Sequence, residues 1–225
     1  MPKVKICGMQ CAEDIDMAVR CGADAVGFIT EVPVQTPRKI DAAAASRLID
    51  RVPPFVDSVL VIMPDSASQA LELIGQVRPD AIQIHNDLGA EDIGIIRDGL
   101  KGSRQRVIKT LPVPADSAGD TRNLLTQVEE LSDAGSVDAI LLDSARAGMS
   151  GGTGLTHDWS VSREIVENTD IPVILAGGLK PENVRHAVDE VLPFAVDTAS
   201  GVETDGKKDP AKVCRFIKEA RCTNA

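Results

Sequence analysis

The chain has no tyrosine, one tryptophan and four phenylalanines in 225 residues. Its core must therefore be aliphatic, and a base-stacking surface for single-stranded nucleic acid is not expected. No Lys/Arg run offsets the net charge of −10, from 24 Lys+Arg against 34 Asp+Glu. A phosphate-backbone partner is thus disfavoured, although backbone amides and one arginine can still build a local site for a small anion. No window approaches the ~20 apolar residues of a membrane span. The opening MPKVKICGMQCAED also lacks the apolar stretch of a secretory signal, so a cytoplasmic protein without membrane contact is expected. CxxC and HExxH spacings are absent and the three histidines (His85, His157, His186) are scattered, so no metal site is expected. Five cysteines, an odd number without a signal, favour reduced thiols over a disulfide framework.

What the chain does have is a regular recurrence of short, β-branched apolar runs, at 3–6, 25–29, 57–62, 80–84, 106–111, 138–142, 171–175 and 194–198. Their starts lie about 20 to 35 residues apart, which suits one strand, loop, helix and loop per repeat. Near-continuous apolar character implies strands buried on both faces. Amphipathic helical patterns fall between them at 11–21, 41–51, 66–77, 121–134, 181–191 and 210–220. Several begin with a capping residue or an early proline, such as Ser66, Lys180-Pro181-Glu182-Asn183 and Asp209-Pro210. Eight such units predict an α/β fold, a single (β/α)8 TIM barrel over residues 1–225. A doubly wound dinucleotide fold is disfavoured because no GxGxxG follows the first strand.

In such a barrel the chemistry sits where the strands end. The first strand delivers Cys7-Gly8, the second feeds a loop with Thr36-Pro37-Arg38, the fourth delivers His85, the sixth Asp143, and the eighth Asp197 and then Ala199-Ser200-Gly201. Gly151-Gly152-Thr153-Gly154, Gly177-Gly178 and Ser200-Gly201 are loops of small residues. Those after strands 7 and 8 predict a phosphate cradle, because exposed N–H groups and helix dipoles favour negative charge, and hence a small phosphorylated substrate. Cys7 and Asp143, from opposite sides of the mouth, have the makings of an acid/base pair if burial raises the carboxyl and the thiolate is stabilised.

The motif order resembles the phosphoribosylanthranilate isomerase family of tryptophan biosynthesis over nearly the whole chain. The motifs are Lys5-Ile6-Cys7-Gly8, Thr36-Pro37-Arg38, Gln83-Ile84-His85, Leu142-Asp143, Asp158-Trp159, Leu175-Ala176-Gly177-Gly178-Leu179, Val196-Asp197, Ser200-Gly201-Val202-Glu203 and Lys208-Asp209. The resemblance implies a cofactor-free Amadori rearrangement. By position, Asp143 would protonate the furanose oxygen, Cys7 would remove the C2 proton, Arg38 would pair with the anthranilate carboxylate and Asp197 would lie near the sugar hydroxyls. Gly154, Gly177, Gly178, Ser200 and Gly201 would surround the phosphate. Gln10, Thr36, Asn86, His157 and Ala199 depart from the family pattern.

Each residue also has a plainer reading. A lone cysteine is usually packing, an aspartate often caps a loop, and His85 either touches substrate or orders its loop. Three rival readings stand beside it: an aminoimidazole-ribonucleotide isomerase, expected to carry Asp in place of Cys7; an indole-glycerol-phosphate synthase, for which Lys109 is poorly placed; and a non-catalytic barrel that binds phosphometabolites. A monomer and a homodimer are both compatible with the sequence.

Overall fold

The computed structural model of the protein describes residues 1–114, 121–145 and 157–222. Within these, strand and helix alternate: β1 (Lys3–Cys7), α1 (Ala12–Cys21), β2 (Ala25–Ile29), α2 (Ala42–Ile49), β3 (Asp57–Ile62), α3 (Ala67–Val77), β4 (Ala81–Ile84) and α4 (Ala90–Gly99). The second half repeats the pattern with β5 (Arg106–Pro114), α5 (Thr121–Asp133), β6 (Ala139–Ala145), α6 (Trp159–Glu167), β7 (Val173–Leu175), α7 (Val184–Val191), β8 (Ala195–Thr198) and α8 (Pro210–Arg221). The eight strands form a closed barrel in chain order, sealed by parallel pairing of β1 with β8. A 3-10 turn, Ser200–Val202, and a two-stranded ribbon, β9 (Glu203–Thr204) with β10 (Lys207–Lys208), fill the connection between β8 and α8.

Alternation along each strand sorts the side chains into two cores. Val4, Ile6, Val26, Phe28, Leu60, Ile62, Ile82, Ile84, Ile140, Leu142 and Val196 point outward and pack against the helices. The inward set at the base, Val59, Ala81, Ile108, Ala139, Leu141, Ile174 and Ala195, forms a smaller cluster. Higher in the barrel the inward positions become polar: Lys5, Gln83 and Asp197 are all buried. At ~0.8 kcal/mol per buried CH₂ the outer cluster is the main source of stability, and the inner polar layer must be hydrogen-bonded to be tolerated.

Several expected boundaries shift. Strand β5 runs on past residue 111 through two prolines because Pro112 and Pro114 only give up donors while their neighbours keep pairing with β6. Helix α7 starts at Val184, not 181, because residues 181–183 form a turn in which the Asn183 side chain bonds the backbone of Lys180 and Gly178. Helix α4 carries Gly94 and Gly99, which weaken the periodic signal. Ser66 and Asp209 cap their helices as expected, accepting from Gln69 N–H and from Ala211 and Lys212 N–H.

One expectation is overturned. Cys21 and Cys214 form a disulfide, with Cα atoms 4.8 Å apart, so the reduced-thiol reading holds only for Cys7, Cys11 and Cys222. The cause is barrel closure: pairing β1 with β8 makes α1 and α8 neighbours and brings together cysteines 193 residues apart in sequence. Among the described residues, no helix is long and apolar enough to cross a membrane.

Candidate active site

At the C-terminal ends of the strands a cavity of about 470 Å³ is lined by Cys7, Arg38, Gln83, His85, Asp143 and Asp197, with Ile29, Val61, Met63 and Leu141 as its apolar wall. Barrel closure thus brings five sequence-predicted residues from β1, β6, β8 and the loops after β2 and β4 into one chamber.

Cys7 ends β1 with its side chain inside the barrel, facing β2 at Gly27. A Cβ on Gly27 would stand 2.7 Å from the Cys7 sulfur, so glycine is what leaves room for the thiol. Two residues below, inward by the same alternation, Lys5 donates to Asp197 Oδ2 and to Gln83 Oε1, both at 2.9 Å. Burial pushes the Cys7 thiol up from its ordinary value, and the Lys5 ammonium beside it pulls part of the way back. Burial alone would lower Lys5, but the Asp197 carboxylate overcomes it and the ammonium is held protonated. The second carboxylate oxygen of Asp197 is buried without a partner among the described residues.

The Lys5 contact fixes more than charge. An ammonium only donates, so the atom of Gln83 it meets is the carbonyl oxygen, and the Gln83 amide nitrogen must face the other way. That nitrogen lies 3.2 Å from Thr110 Oγ1 and 3.3 Å from His85 Nδ1. Nδ1 also lies 3.2 Å from Thr110 Oγ1, and with that hydroxyl accepting from Gln83 and donating to the ring, Nδ1 accepts from both neighbours. His85 is held at a pKa of about 4, chiefly by burial and then by the Lys5 charge, so it is neutral and carries its proton on Nε2. Nε2 lies 3.8 Å from Asp143 Oδ2. Asp143 is pushed up to about 7, first by burial and then by the Asp197 charge, so near neutrality it is divided between acid and carboxylate.

Arg38 enters from the loop after β2. Its Nε and Nη2 donate to the two oxygens of Glu203 at 2.8 and 2.6 Å, and Glu203 also accepts from Lys208 at 2.6 Å. The loop itself is held by Gln10, whose amide donates to the Pro37 carbonyl at 2.6 Å.

The loops after β7 and β8 meet as one surface. Thr198 Oγ1 donates to the Leu179 carbonyl at 2.8 Å, and a side chain on Gly201 would strike that same carbonyl. Gly177, at φ +86°, lies against Ser144 and leaves no space for a Cβ. Gly177, Gly178, Ser200 and Gly201 are half-buried, and no acceptor among the described residues takes their N–H groups. Gly154, with the rest of the Gly151-Gly152-Thr153-Gly154 segment, lies outside the described residues.

Sequence reasoning passed over Lys5, Gly27, Gln83 and Glu203 as acting residues. Lys5 and Gln83 were detectable, since they share the inward parity of Cys7 and His85.

A sequence model of the family described as N-(5'phosphoribosyl)anthranilate (PRA) isomerase matches residues 4–219. The N-(5'-phosphoribosyl)anthranilate isomerase of Methanosarcina acetivorans is 53% identical over 228 residues, covering 99% of this chain and 94% of that protein. Among solved structures, phosphoribosyl anthranilate isomerase from Thermotoga maritima superposes with a TM-score of 0.80 at 35% identity, covering 98% of this chain and 99% of that one. A phosphoribosyl anthranilate isomerase in complex with reduced 1-(o-carboxyphenylamino)-1-deoxyribulose 5-phosphate gives 0.77 at 35% identity, with the same coverage.

Proposed function

Because the chain belongs to the N-(5'-phosphoribosyl)anthranilate isomerase family, we propose that it converts N-(5-phosphoribosyl)anthranilate into 1-(2-carboxyphenylamino)-1-deoxyribulose 5-phosphate, an Amadori rearrangement in tryptophan biosynthesis, without a cofactor. The observation that carries the catalytic detail is the pairing, in one cavity, of a half-buried carboxyl near pKa 7 with a buried thiol beside an ammonium.

Protonated Asp143 gives its proton to the ring oxygen, the C1–O bond breaks, and the nitrogen lone pair closes the Schiff base. The Cys7 thiolate then takes the C2 proton, and the electrons of that C–H bond neutralise the iminium to leave an enolamine. Protonation at C1 and loss of the enol proton give the ketone. His85 Nε2–H faces Asp143 and stabilises the carboxylate that remains after the first step. General acid and base groups of this kind each contribute about 10² to 10⁴ in rate. Arg38 takes the anthranilate carboxylate, for which a planar fork suits better than an ammonium. Asp197 takes sugar hydroxyls through its unpartnered oxygen, and the N–H groups of Gly177, Gly178, Ser200 and Gly201 take the phosphate.

The test is the loss of anthranilate-type fluorescence when freshly made phosphoribosylanthranilate meets the purified protein, with Cys7→Ala and Asp143→Ala alongside. Turnover by the unmodified protein and its loss in both variants, with ligand-induced thermal stabilisation kept, is the expected result. A folded protein that binds without turnover would instead be a phosphometabolite-binding barrel.

A further inference from the structure

We propose that Glu203 is the residue that aims Arg38 and so sets the preference for a substrate bearing a carboxylate; it is a positioning residue that acts from outside the cavity. Arg38 lines the chamber and Glu203 does not. The carboxylate grips the guanidinium along one edge, through Nε and Nη2, which fixes the plane of the group. The Nη1 nitrogen makes no hydrogen bond among the described residues, so the Nη1/Nη2 edge is the fork left for a second carboxylate. The stem is fixed as well: it lies across Gly8, where a Cβ would come within 2.8 Å of Arg38 Cδ.

Glu203 is itself held. Lys208, with 2% of its side chain exposed, donates to it and, at 2.9 Å, to the Ala199 carbonyl. Lys212 donates to the Glu203 backbone carbonyl at 2.7 Å. Two cations on one carboxylate leave the cluster net positive, so gripping Arg38 does not cancel its attraction for an anion. Burial alone would raise the Glu203 carboxyl, but the bonds from Arg38 and Lys208 keep it below the ordinary range and ionised. The same cluster ties the loop after β2 to the segment after β8, so the carboxylate end and the phosphate end of a substrate are held at a fixed separation.

The inference rests on the reading of Arg38 given above, and its test separates the two. Phosphoribosylanthranilate is compared with N-(5-phosphoribosyl)aniline, which lacks only the carboxylate. The unmodified protein is expected to favour the carboxylate-bearing substrate by at least about tenfold in kcat/KM, a discrimination that one well-placed charged hydrogen-bond pair supplies. Glu203→Gln is expected to remove most of that preference through a higher KM for phosphoribosylanthranilate, with kcat and the aniline substrate nearly unchanged. Because that variant strands buried Lys208, the double variant Glu203→Gln/Lys208→Met is measured too, with the same expectation. In an Arg38→Met background, Glu203→Gln should leave the preference where it is. If the Glu203 variants slow both substrates equally, Glu203 is merely structural and the proposal falls while Arg38 keeps its role. If the unmodified protein already treats the two substrates alike, the reading of Arg38 falls and this proposal goes with it.

Discussion

The two mouths of the barrel are made by the same eight strands and enclose cavities of similar size, about 470 Å³ at the C-terminal ends and 380 Å³ at the N-terminal ends. Their linings differ in kind. The N-terminal cavity is walled by Ala25, Val59, Ala81, Ile108, Ala139 and Ile174, and on its rim Lys3, Asp24, Arg106 and Asp138 stand in hydrogen-bonded pairs, while burial and the Asp80 charge push the Asp57 carboxyl up. Asp138 accepts from Arg97, from Arg106 and from the Val107 N–H, and Asp24 accepts from Lys3, Arg221 and the Val4 N–H. Although burial works against it, Asp24 is held below its ordinary value by these bonds. In the C-terminal cavity the half-buried carboxyl and imidazole and the buried thiol are all displaced toward their neutral forms. Ionised Asp24 at one mouth stabilises the fold; Asp143 at the other is held at a cost to it.

Asp143→Asn breaks this comparison most sharply. Turnover should fall about 10³-fold, within the range for loss of a general acid. Stability should move the other way. The folded-state value, about 7, lies above the ~3.9 of an unfolded aspartate. The folded protein therefore binds this proton more tightly, and stability from the group is present below about pH 4 and lost as pH rises through about 7. At pH 8 the neutral amide should raise Tm, at roughly 1.4 kcal/mol recovered per unit of displacement, and at pH 4 it should not. Calorimetry at the two values decides, and a lower Tm at pH 8 would remove Asp143 from the class of groups held against stability.

The pH dependence of kcat/KM sharpens the same point. The reactive form pairs protonated Asp143 with the Cys7 thiolate, whose own value is raised, so acid and base are in reversed order of pKa. The rate should climb about tenfold per unit up to about pH 7, the Asp143 value, then stay level, and fall only above the raised value of Cys7. In Asp143→Asn the bend near 7 should vanish and the residual rate should keep rising toward the Cys7 value. A bend that survives in that variant belongs to another group.

The eight strands and the residues at their ends were legible because burial on both faces writes a continuous apolar run, and because strand polarity puts loop chemistry at one mouth. Less visible was everything set by three-dimensional closure. Nothing near Cys21 announces Cys214, and the pair becomes adjacent only when β1 meets β8. Glu203 stood in a recognised motif, but its grip on Arg38 spans 165 positions. The pKa order of Cys7 and Asp143 depends on burial and on Lys5 and Asp197, and composition carries none of that.

The outer ring offers a third, smaller contrast. Cys21→Ser with Cys214→Ser should cost about 2–4 kcal/mol by freeing the unfolded chain. That is of the order of 4–16 °C in Tm at ~2–4 °C per kcal/mol for a domain of this size, with kcat unchanged. Thermal scans with and without reductant on the unmodified protein should reproduce the difference.

The smallest effect belongs to the N-terminal rim. Asp138→Asn keeps the shape of the side chain but removes the charge that four N–H donors from three residues share at 2.7, 3.2, 3.1 and 2.8 Å. One amide oxygen can still accept, so the loss should be about 1–2 kcal/mol, at the low end for hydrogen bonds to charged groups. Both arginines are partly exposed, at 33% and 66% of the side chain, and they regain water, which keeps the penalty from growing. Because Asp138 lies on the N-terminal rim and lines no part of the C-terminal cavity, kcat and KM should stay within about twofold. A larger fall in kcat than in stability would show that the two mouths are coupled through β6, which begins beside Asp138 and carries Asp143.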